Sequence, residues 1–401
     1  MSVSSQLLAT PSDSAEISAA AAGRPLRVAY VVHTFEIGGI ERSVARLASR
    51  LDRRRFQPLV VCLNRSGQAA KWIETDDVPV IELHKRPAND LGVVFRLARV
   101  LREQRVDIVH SHNWGTLVET SIARRWARVP VHVHAERGTV LGEIKIQGLR
   151  GRVRAAAMRW AVGRSSALIS NAVAVGRRAA HFSGVPIERI QIIPNGLDAP
   201  LPVSQAESNE LRKTLPIPAG AILAGSVGRL VDVKNYSCAV NSIAHIAAHG
   251  YDVHLVLVGD GPERTKLENE ARALGVMARV HFAGWHEDVT RWLAAMDIYV
   301  NCSKSEGLSQ SLVEAMANGL PLVVTDVGDN ALLADGDRGC GLVVPPQDAA
   351  ALGGAIERLA GAPELRNEFR QNALVRFAER YSIDRMISNY EALYRDLCHA
   401  S

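Results

Sequence analysis

Short apolar runs rich in valine and isoleucine alternate with helical stretches along nearly the whole chain, and the pattern runs through twice. In the first half the runs are RPLRVAYVV (24–32), FQPLVVCL (56–63), VPVIEL (78–83), VDIVHSH (106–112), VPVHVHA (129–135), SALISNAVAV (166–175) and RIQIIPNGLDAP (189–200). Each is apolar at consecutive positions rather than alternate ones, the mark of a strand buried on both faces. Helical spacing fills the gaps, as from Ile40 onward and over 91–104 and 115–128. Strand followed by helix followed by strand predicts parallel sheets with right-handed crossovers. A second series begins at AILAGSVGRL and includes VHLVLVGDGP, RVHFAG, IYVNCS, LPLVVTDVG and GLVVPP.

The expected fold class is therefore α/β, with two Rossmann-like doubly wound domains facing each other across a cleft, since 401 residues exceed one ordinary core. The expected division is a disordered tail (1–23), a first domain (24–200), a polar linker (201–218), a second domain (219–382) and a closing helix (383–401) packing back on the first domain. The tail is rich in Ser and Ala, contains Asp13 and Glu16 and has no basic patch before an apolar core, which argues against a signal peptide. The five cysteines are scattered without close pairs, so neither a disulfide framework nor a zinc ribbon is indicated. A reducing cytosol is the expected compartment. No apolar run approaches the roughly 18 residues of a membrane span.

Net charge is +5, but residues 1–200 carry 29 Lys+Arg against 17 Asp+Glu and the remainder 18 against 25, or +12 and −7. A basic first half suggests an anionic partner: membrane surface, lipid phosphate or nucleic acid. No nucleic-acid-binding module is present, so nucleic acid is not expected. KIQGLRGRVRAAAMRWAVGR (145–164) holds six cations and no acid, with apolar residues interleaved. Its Lys145, Arg150, Arg152, Arg154 and Arg159 are the expected contacts to an acceptor or an anionic membrane, against the alternative of a solvated face covering the sheet.

Ligands of doubly wound sheets collect at the carboxyl ends of the strands. Gly38 and Gly39 follow the first strand, where they let backbone amides approach a ligand or simply form a tight turn of positive φ. Two H-x-H pairs, His110 with His112 and His132 with His134, lie on different strands with few carboxylates nearby, which favours histidines lining a cleft over a metal site. His134 is the preferred polar contact to a transferred group. In the second half SVGRLVDVKN sets Arg229 and Lys234 just past a strand end, where a planar fork and a compact charge suit a diphosphate. No D-x-D or other clear acidic cluster suits a magnesium-bound nucleotide.

SEGLSQSLVEAMANGLP (305–321) places Glu306 at a loop-to-helix junction and Glu314 inside the helix, with Gly307 between them. Helix N-termini offer unpaired N–H groups and a positive dipole end to phosphate. The carboxylates are left to accept from hydroxyls, so a phosphorylated, hydroxyl-rich ligand is expected. HFAGWHEDV offers a slot for a base, with Trp285 either its wall or, the more ordinary fate of a tryptophan, a core aromatic.

The ordered set GGIER, GRLVDVK, VGDGP, HFAGW, SEGLSQSLVEAMANGLP and GLVVPP resembles the retaining glycosyltransferases of family 4, which have the GT-B fold. HSHNWGTLVE (110–119) and HAERG (134–138) are similar to segments of bacterial exopolysaccharide and cell-envelope sugar transferases. The resemblance implies that Arg229 and Lys234 bind the diphosphate, Glu306 faces the donor sugar, Glu314 holds the ribose, and amides of Gly307, Leu308 and Ser309 meet the phosphates. Gly38 and Gly39 would lie near the diphosphate and acceptor, and His134 beside the transferred sugar.

It implies transfer of a hexose or aminohexose from a UDP-sugar first, GDP-mannose second, to a lipid-linked or envelope glycan. No metal or other cofactor is expected, and the location would be cytoplasmic, peripheral on the inner face of the plasma membrane. A GT-B sugar epimerase or a non-catalytic nucleotide-sugar or lipid-binding scaffold are the alternatives. After TDVG the family often continues to a Pro-Glu pair, whereas Ala331 and Leu332 stand here.

Overall fold

The computed structural model describes residues 24–87, 90–138, 148–336 and 338–400. The chain divides into two compact units, one made of residues up to Asn195 together with Met386 onward, the other of Gly196–Arg385. In the first unit β1 (Leu26–Val32), β2 (Phe56–Cys62), β3 (Val80–Glu82), β4 (Ile108–His112), β5 (Val131–Glu136), β6 (Ala167–Ser170) and β7 (Ile190–Ile192) form one sheet in the order β3-β2-β1-β4-β5-β6-β7. In the second, β8 (Ile222–Val227), β9 (Val253–Val258), β10 (Val280–Gly284), β11 (Ile298–Asn301), β12 (Leu322–Thr325) and β13 (Gly341–Val344) run in the order β10-β9-β8-β11-β12-β13. Every pairing within the two sheets is parallel. Both units are thus Rossmann-like α/β domains, with strand order reversing between β1 and β4 and between β8 and β11.

Side-chain alternation explains why these strands read as unbroken apolar runs. On β9, Leu255 and Leu257 join Val240, Ile243, Leu352 and Ile356 on one face, while Val256 and Val258 join Leu312, Met316 and Phe377 on the other. Period-2 geometry sends neighbours to opposite faces, and helices cover both, so each position is apolar. Fully burying such a side chain contributes about 1.5–3 kcal/mol, which makes a polar substitution on either face costly.

The stretch expected to be a linker is partly a helix, Gln205–Lys213, started by a capping box in which Ser204 and Glu207 satisfy each other's backbone N–H groups. Leu211, Leu215 and Ile217 pack on the second unit's core, so 201–218 folds with that unit instead of spanning between domains. Its polar surface positions hid a sparse apolar stripe. The closing helix, Ile383–His399, supplies Tyr390 and Tyr394 to the first unit, both buried.

VGDGP owes its glycines to crowding between loops. At Gly259 φ is +143°, and an added Cβ would lie 2.0 Å from the carbonyl oxygen of Gly228; at Gly261 it would lie 2.4 Å from that of Leu230. The close approach lets Gly228 N–H donate to Val258 and Leu230 N–H donate to Asp260. Gly259→Ala should therefore cost about 2–4 kcal/mol through overpacking and backbone strain. Scanning calorimetry should show the second unit's unfolding midpoint lowered by roughly 5–15 °C, and an unchanged midpoint would contradict the crowding argument.

Candidate active site

At the second unit's switch point two loops leave adjacent strands. After β8 the chain passes Gly228 and Arg229, buries Leu230, makes a 3-10 turn at Asp232–Lys234 and enters helix Tyr236–Ala248. After β11 it runs from Cys302 to Ser309 and into helix Gln310–Ala317. Lys304 N–H donates to Val233 O at 2.8 Å, and Lys304 Nζ donates to Asp232 at 2.6 Å, tying the loops together. Across this junction Lys234 Nζ lies 2.6 Å from Glu306 Oε1, and Ser303 Oγ donates to the same oxygen at 2.8 Å. Their side chains keep 24% and 12% of their surface, so solvent screening is reduced but a ligand still has access.

Arg229 is exposed, and its guanidinium makes no hydrogen bond or ion pair among the described residues. Anchored between buried Leu230 and the crowded Gly228, it can rotate onto an incoming anion without breaking an existing contact.

The Glu306 loop rests on buried polar groups that sequence reasoning missed. Asn301 Nδ2 donates to Ser309 Oγ at 3.1 Å, Asn330 Nδ2 donates to Asn301 Oδ1 at 3.2 Å, and Thr325 Oγ1 donates to Ser303 O at 2.8 Å. Asp329 N–H donates to Gly307 O, and Gly328, at φ +57°, sits where a Cβ would be 2.5 Å from Glu306 O. Their only signal was a polar residue closing each apolar run: IYVN, VVT and DN. Ser309 begins helix Gln310–Ala317 without capping it, its hydroxyl accepting from Asn301 instead. The first-turn N–H groups are left without a side-chain cap, a feature suited to an anion. Glu314 is half-buried within that helix. The segment that departs from the Pro-Glu pattern begins with fully buried Asn330, while Leu332 is half exposed.

Trp285 follows β10 and is 72% exposed. A cavity of about 150 Å³ lined by Asp232, Asn235, Tyr236, Glu263, Lys266 and Lys304 shares the β8 loop. It includes none of Arg229, Lys234, Glu306 and Glu314.

In the first unit Gly38 starts helix Gly39–Arg50 with φ −170° and no side-chain cap. Neither Gly38 nor Gly39 takes a positive φ, so the tight-turn reading does not apply. A Cβ at Gly39 would meet nothing within 4 Å, which leaves the backbone there open.

The histidines stand elsewhere than on a rim. His110, His112, His132 and His134 are at most 2% exposed, because the strand positions that carry them lie inside the sheet's helix cover. His134 Nδ1 is 2.8 Å from Ser111 Oγ, and Nε2 is 3.1 Å from the buried carboxylate of Glu136. His134 is thus buried with both ring nitrogens engaged, rather than standing exposed on the rim where the sequence placed it. His110 Nδ1 is 2.7 Å from Tyr394 OH, while Arg137 donates to Asn195 Oδ1 and Tyr390 OH at 2.8 and 2.6 Å and bonds Ser43. Burial, aided by the Arg137 charge or by neighbouring imidazoles, holds His110, His112 and His132 well below the usual histidine range. In the second unit burial pushes His281 down to about 4.

Helix Gly148–Val162 carries the basic stretch. Arg152, Arg154 and Arg159 are exposed, as are Leu149 at 77% and Val153 at 59%, while Met158 and Val162 are buried against the sheet's helices. Lys145 and the side chain of Arg150 lie outside the described residues. Among the described residues no helix is long and apolar enough to cross a membrane.

Residues 37–200 match the model described as Glycosyltransferase Family 4, and residues 222–361 match that of Glycosyl transferases group 1. The Bacillus subtilis protein EpsF, named as a glycosyltransferase, is 28% identical over 87% of this chain and 91% of its own. An Escherichia coli UDP-Gal:alpha-D-GlcNAc-diphosphoundecaprenol alpha-1,3-galactosyltransferase is 22% identical over 93% and 97%. In fold, the chain resembles Anabaena HepE in complex with UDP, with a TM-score of 0.78, 22% identity and coverage of 92% and 100%.

The three buried neutral histidines set a sign for pH dependence. Their folded affinity for protons is below the unfolded value of about 6.5, so stability is full above that pH and falls as pH drops through it. Each group then costs up to about 1.4 kcal/mol per pH unit. Calorimetry from about pH 7.5 to about pH 5 should show the first unit's midpoint falling. His112→Leu, which replaces a ring with neither nitrogen hydrogen-bonded among the described residues, should flatten the slope by close to one proton.

Proposed function

Because the chain belongs to the family 4, group 1 glycosyltransferases, which act on sugar nucleotides, we propose that it transfers a hexose or aminohexose with retention of anomeric configuration. The donor is a nucleoside-diphosphate sugar, a UDP-sugar before GDP-mannose, and the acceptor a hydroxyl of a lipid-linked or cell-envelope glycan. The observation that carries this reading is the 2.6 Å Lys234–Glu306 contact at the switch point, beside an uncapped helix start and an uncommitted arginine. Similarity to UDP-bound HepE supports the nucleotide, and the galactosyltransferase relative supports a lipid-linked acceptor.

On binding, the diphosphate draws Lys234 from Glu306 and takes contacts from Arg229 and the amides of Gly307, Leu308 and Ser309. The freed Glu306 carboxylate accepts from sugar hydroxyls, and Glu314 accepts from the ribose. Gly39 offers open backbone to the diphosphate or acceptor, and Gly38, beside the Glu41 carboxylate, starts the helix next to it. With no carboxylate nucleophile assigned, attack comes on the leaving-group face. The C1–O bond to the β-phosphate breaks, the bond from C1 to the acceptor oxygen forms, and the acceptor proton passes to the leaving phosphate oxygen. Arg229 and Lys234 neutralise the charge that builds there, the task a metal performs elsewhere, so the reaction proceeds without one.

Lys234→Ala should lose about 3 kcal/mol of transition-state stabilisation, roughly a hundredfold in kcat. A donor panel scored by thermal shift, nucleotide release and the anomeric configuration of the product tests the whole reading. Unchanged kcat in Lys234→Ala with the true donor removes the leaving-group role, an inverted product removes retention, and loss of turnover in EDTA removes metal independence.

The protein acts in the cytoplasm, with the basic face of helix Gly148–Val162 resting on anionic lipid at the inner face of the plasma membrane. Exposed Leu149 and Val153 beside Arg152 and Arg154 support that contact. Sedimentation with anionic vesicles should be salt-dependent and weakened by Arg152→Glu with Arg154→Glu; wild-type protein that stays in the supernatant at low salt removes the proposal.

A further inference from the structure

Helices Tyr236–Ala248 and Ala349–Ala360 pack together on one face of the second unit's sheet, sharing the core of Val240, Ile243, Leu352 and Ile356. The first ends with His245 in its last turn and His249 as its C-cap, and the second carries Glu357. One ligand atom from each of these three residues lies within 4.8 Å of the others. His249 Nδ1 is 2.8 Å from Glu357 Oε1, and the two imidazole centroids are 4.3 Å apart. At Gly353 an added Cβ would be 2.7 Å from His245 Cδ2, so the glycine is what admits that ring between the helices.

Two histidines four residues apart share one helix face, and a carboxylate from the neighbouring helix completes three nitrogen and oxygen donors of the kind zinc takes. Around tetrahedral zinc such donors stand roughly 3.3 Å apart, a spacing reached here by small side-chain rotations. The carbonyl end of the helix points its negative dipole toward the cluster, which favours a cation. His249 keeps 50% of its side-chain surface and Glu357 15%, leaving a fourth position for water.

We infer that His245, His249 and Glu357 form a binding site for a divalent transition-metal ion of the zinc class. The site stands at the opposite end of the helix that begins beside Lys234, about 20 Å away at 1.5 Å per residue. It takes no part in sugar transfer; it clips the helix supporting the Lys234 loop to Ala349–Ala360. The alternative is a surface hydrogen bond between His249 and Glu357 with no ion.

The test uses full-length, tag-free protein stripped with EDTA. Zn²⁺ titrated by calorimetry should bind at one equivalent and raise the second unit's unfolding midpoint, and Co²⁺ should give the visible absorption of a four-coordinate site. His249→Ala and Glu357→Gln should both lose saturable binding and the midpoint rise while keeping the thermal shift caused by donor nucleotide. Absence of saturable binding in the wild type, or equal binding in both variants, overturns the site, and neither result bears on the donor reading.

Discussion

A parallel sheet whose faces are both sheathed in helices has only its edges and strand ends left for polar chemistry. In the second unit this confines the site to the loops after β8 and β11, which part where the strand order reverses. Everything in those loops answers to close quarters. Gly259 and Gly261 give way to the β8 loop, Gly328 gives way to the β11 loop, and Lys304 laces one to the other. The result is a tightly packed frame holding two opposite charges, Lys234 and Glu306, in contact where the two loops meet.

Both units bury polar groups, with different reach. In the second, Asn301, Thr325 and Asn330 bond loop backbone, Ser309 and one another and so hold the shape of one loop, while Asn330 Oδ1 has no partner among the described residues. In the first, imidazoles, tyrosines and Arg137 form a wider interior cluster that includes His112, whose two ring nitrogens have no hydrogen-bond partner among the described residues. Burial without full pairing is costly, and keeping those rings neutral limits that cost at neutral pH while exposing it in acid.

The sheet architecture was legible because strands buried on both faces announce themselves as unbroken apolar runs. The Lys234 and Glu306 loops were legible because glycine and charge cluster at the ends of such runs. Asn301 and Asn330 were not, since a single polar residue closing a strand or opening a short helix looks like any loop boundary until the neighbouring strand is placed beside it. His134 was assigned to the rim because a strand's end can be read from sequence to within a residue or two, and that margin separates the open edge from the interior. The helix at Gln205–Lys213 was missed because only its few apolar residues touch the core, and composition weighs the many that do not.

Tyr390 and Tyr394 complete the interior of a unit whose strands all lie before Asn195. The ribosome therefore delivers the first unit's strands early and Tyr390 and Tyr394 only after the whole of the second unit. The second unit has its complete sequence in hand by Arg385 and can close first, so the order of maturation runs opposite to the order of synthesis. A premature stop just before Tyr390 would leave the second unit's sheet intact and open the first beneath His110 and Arg137.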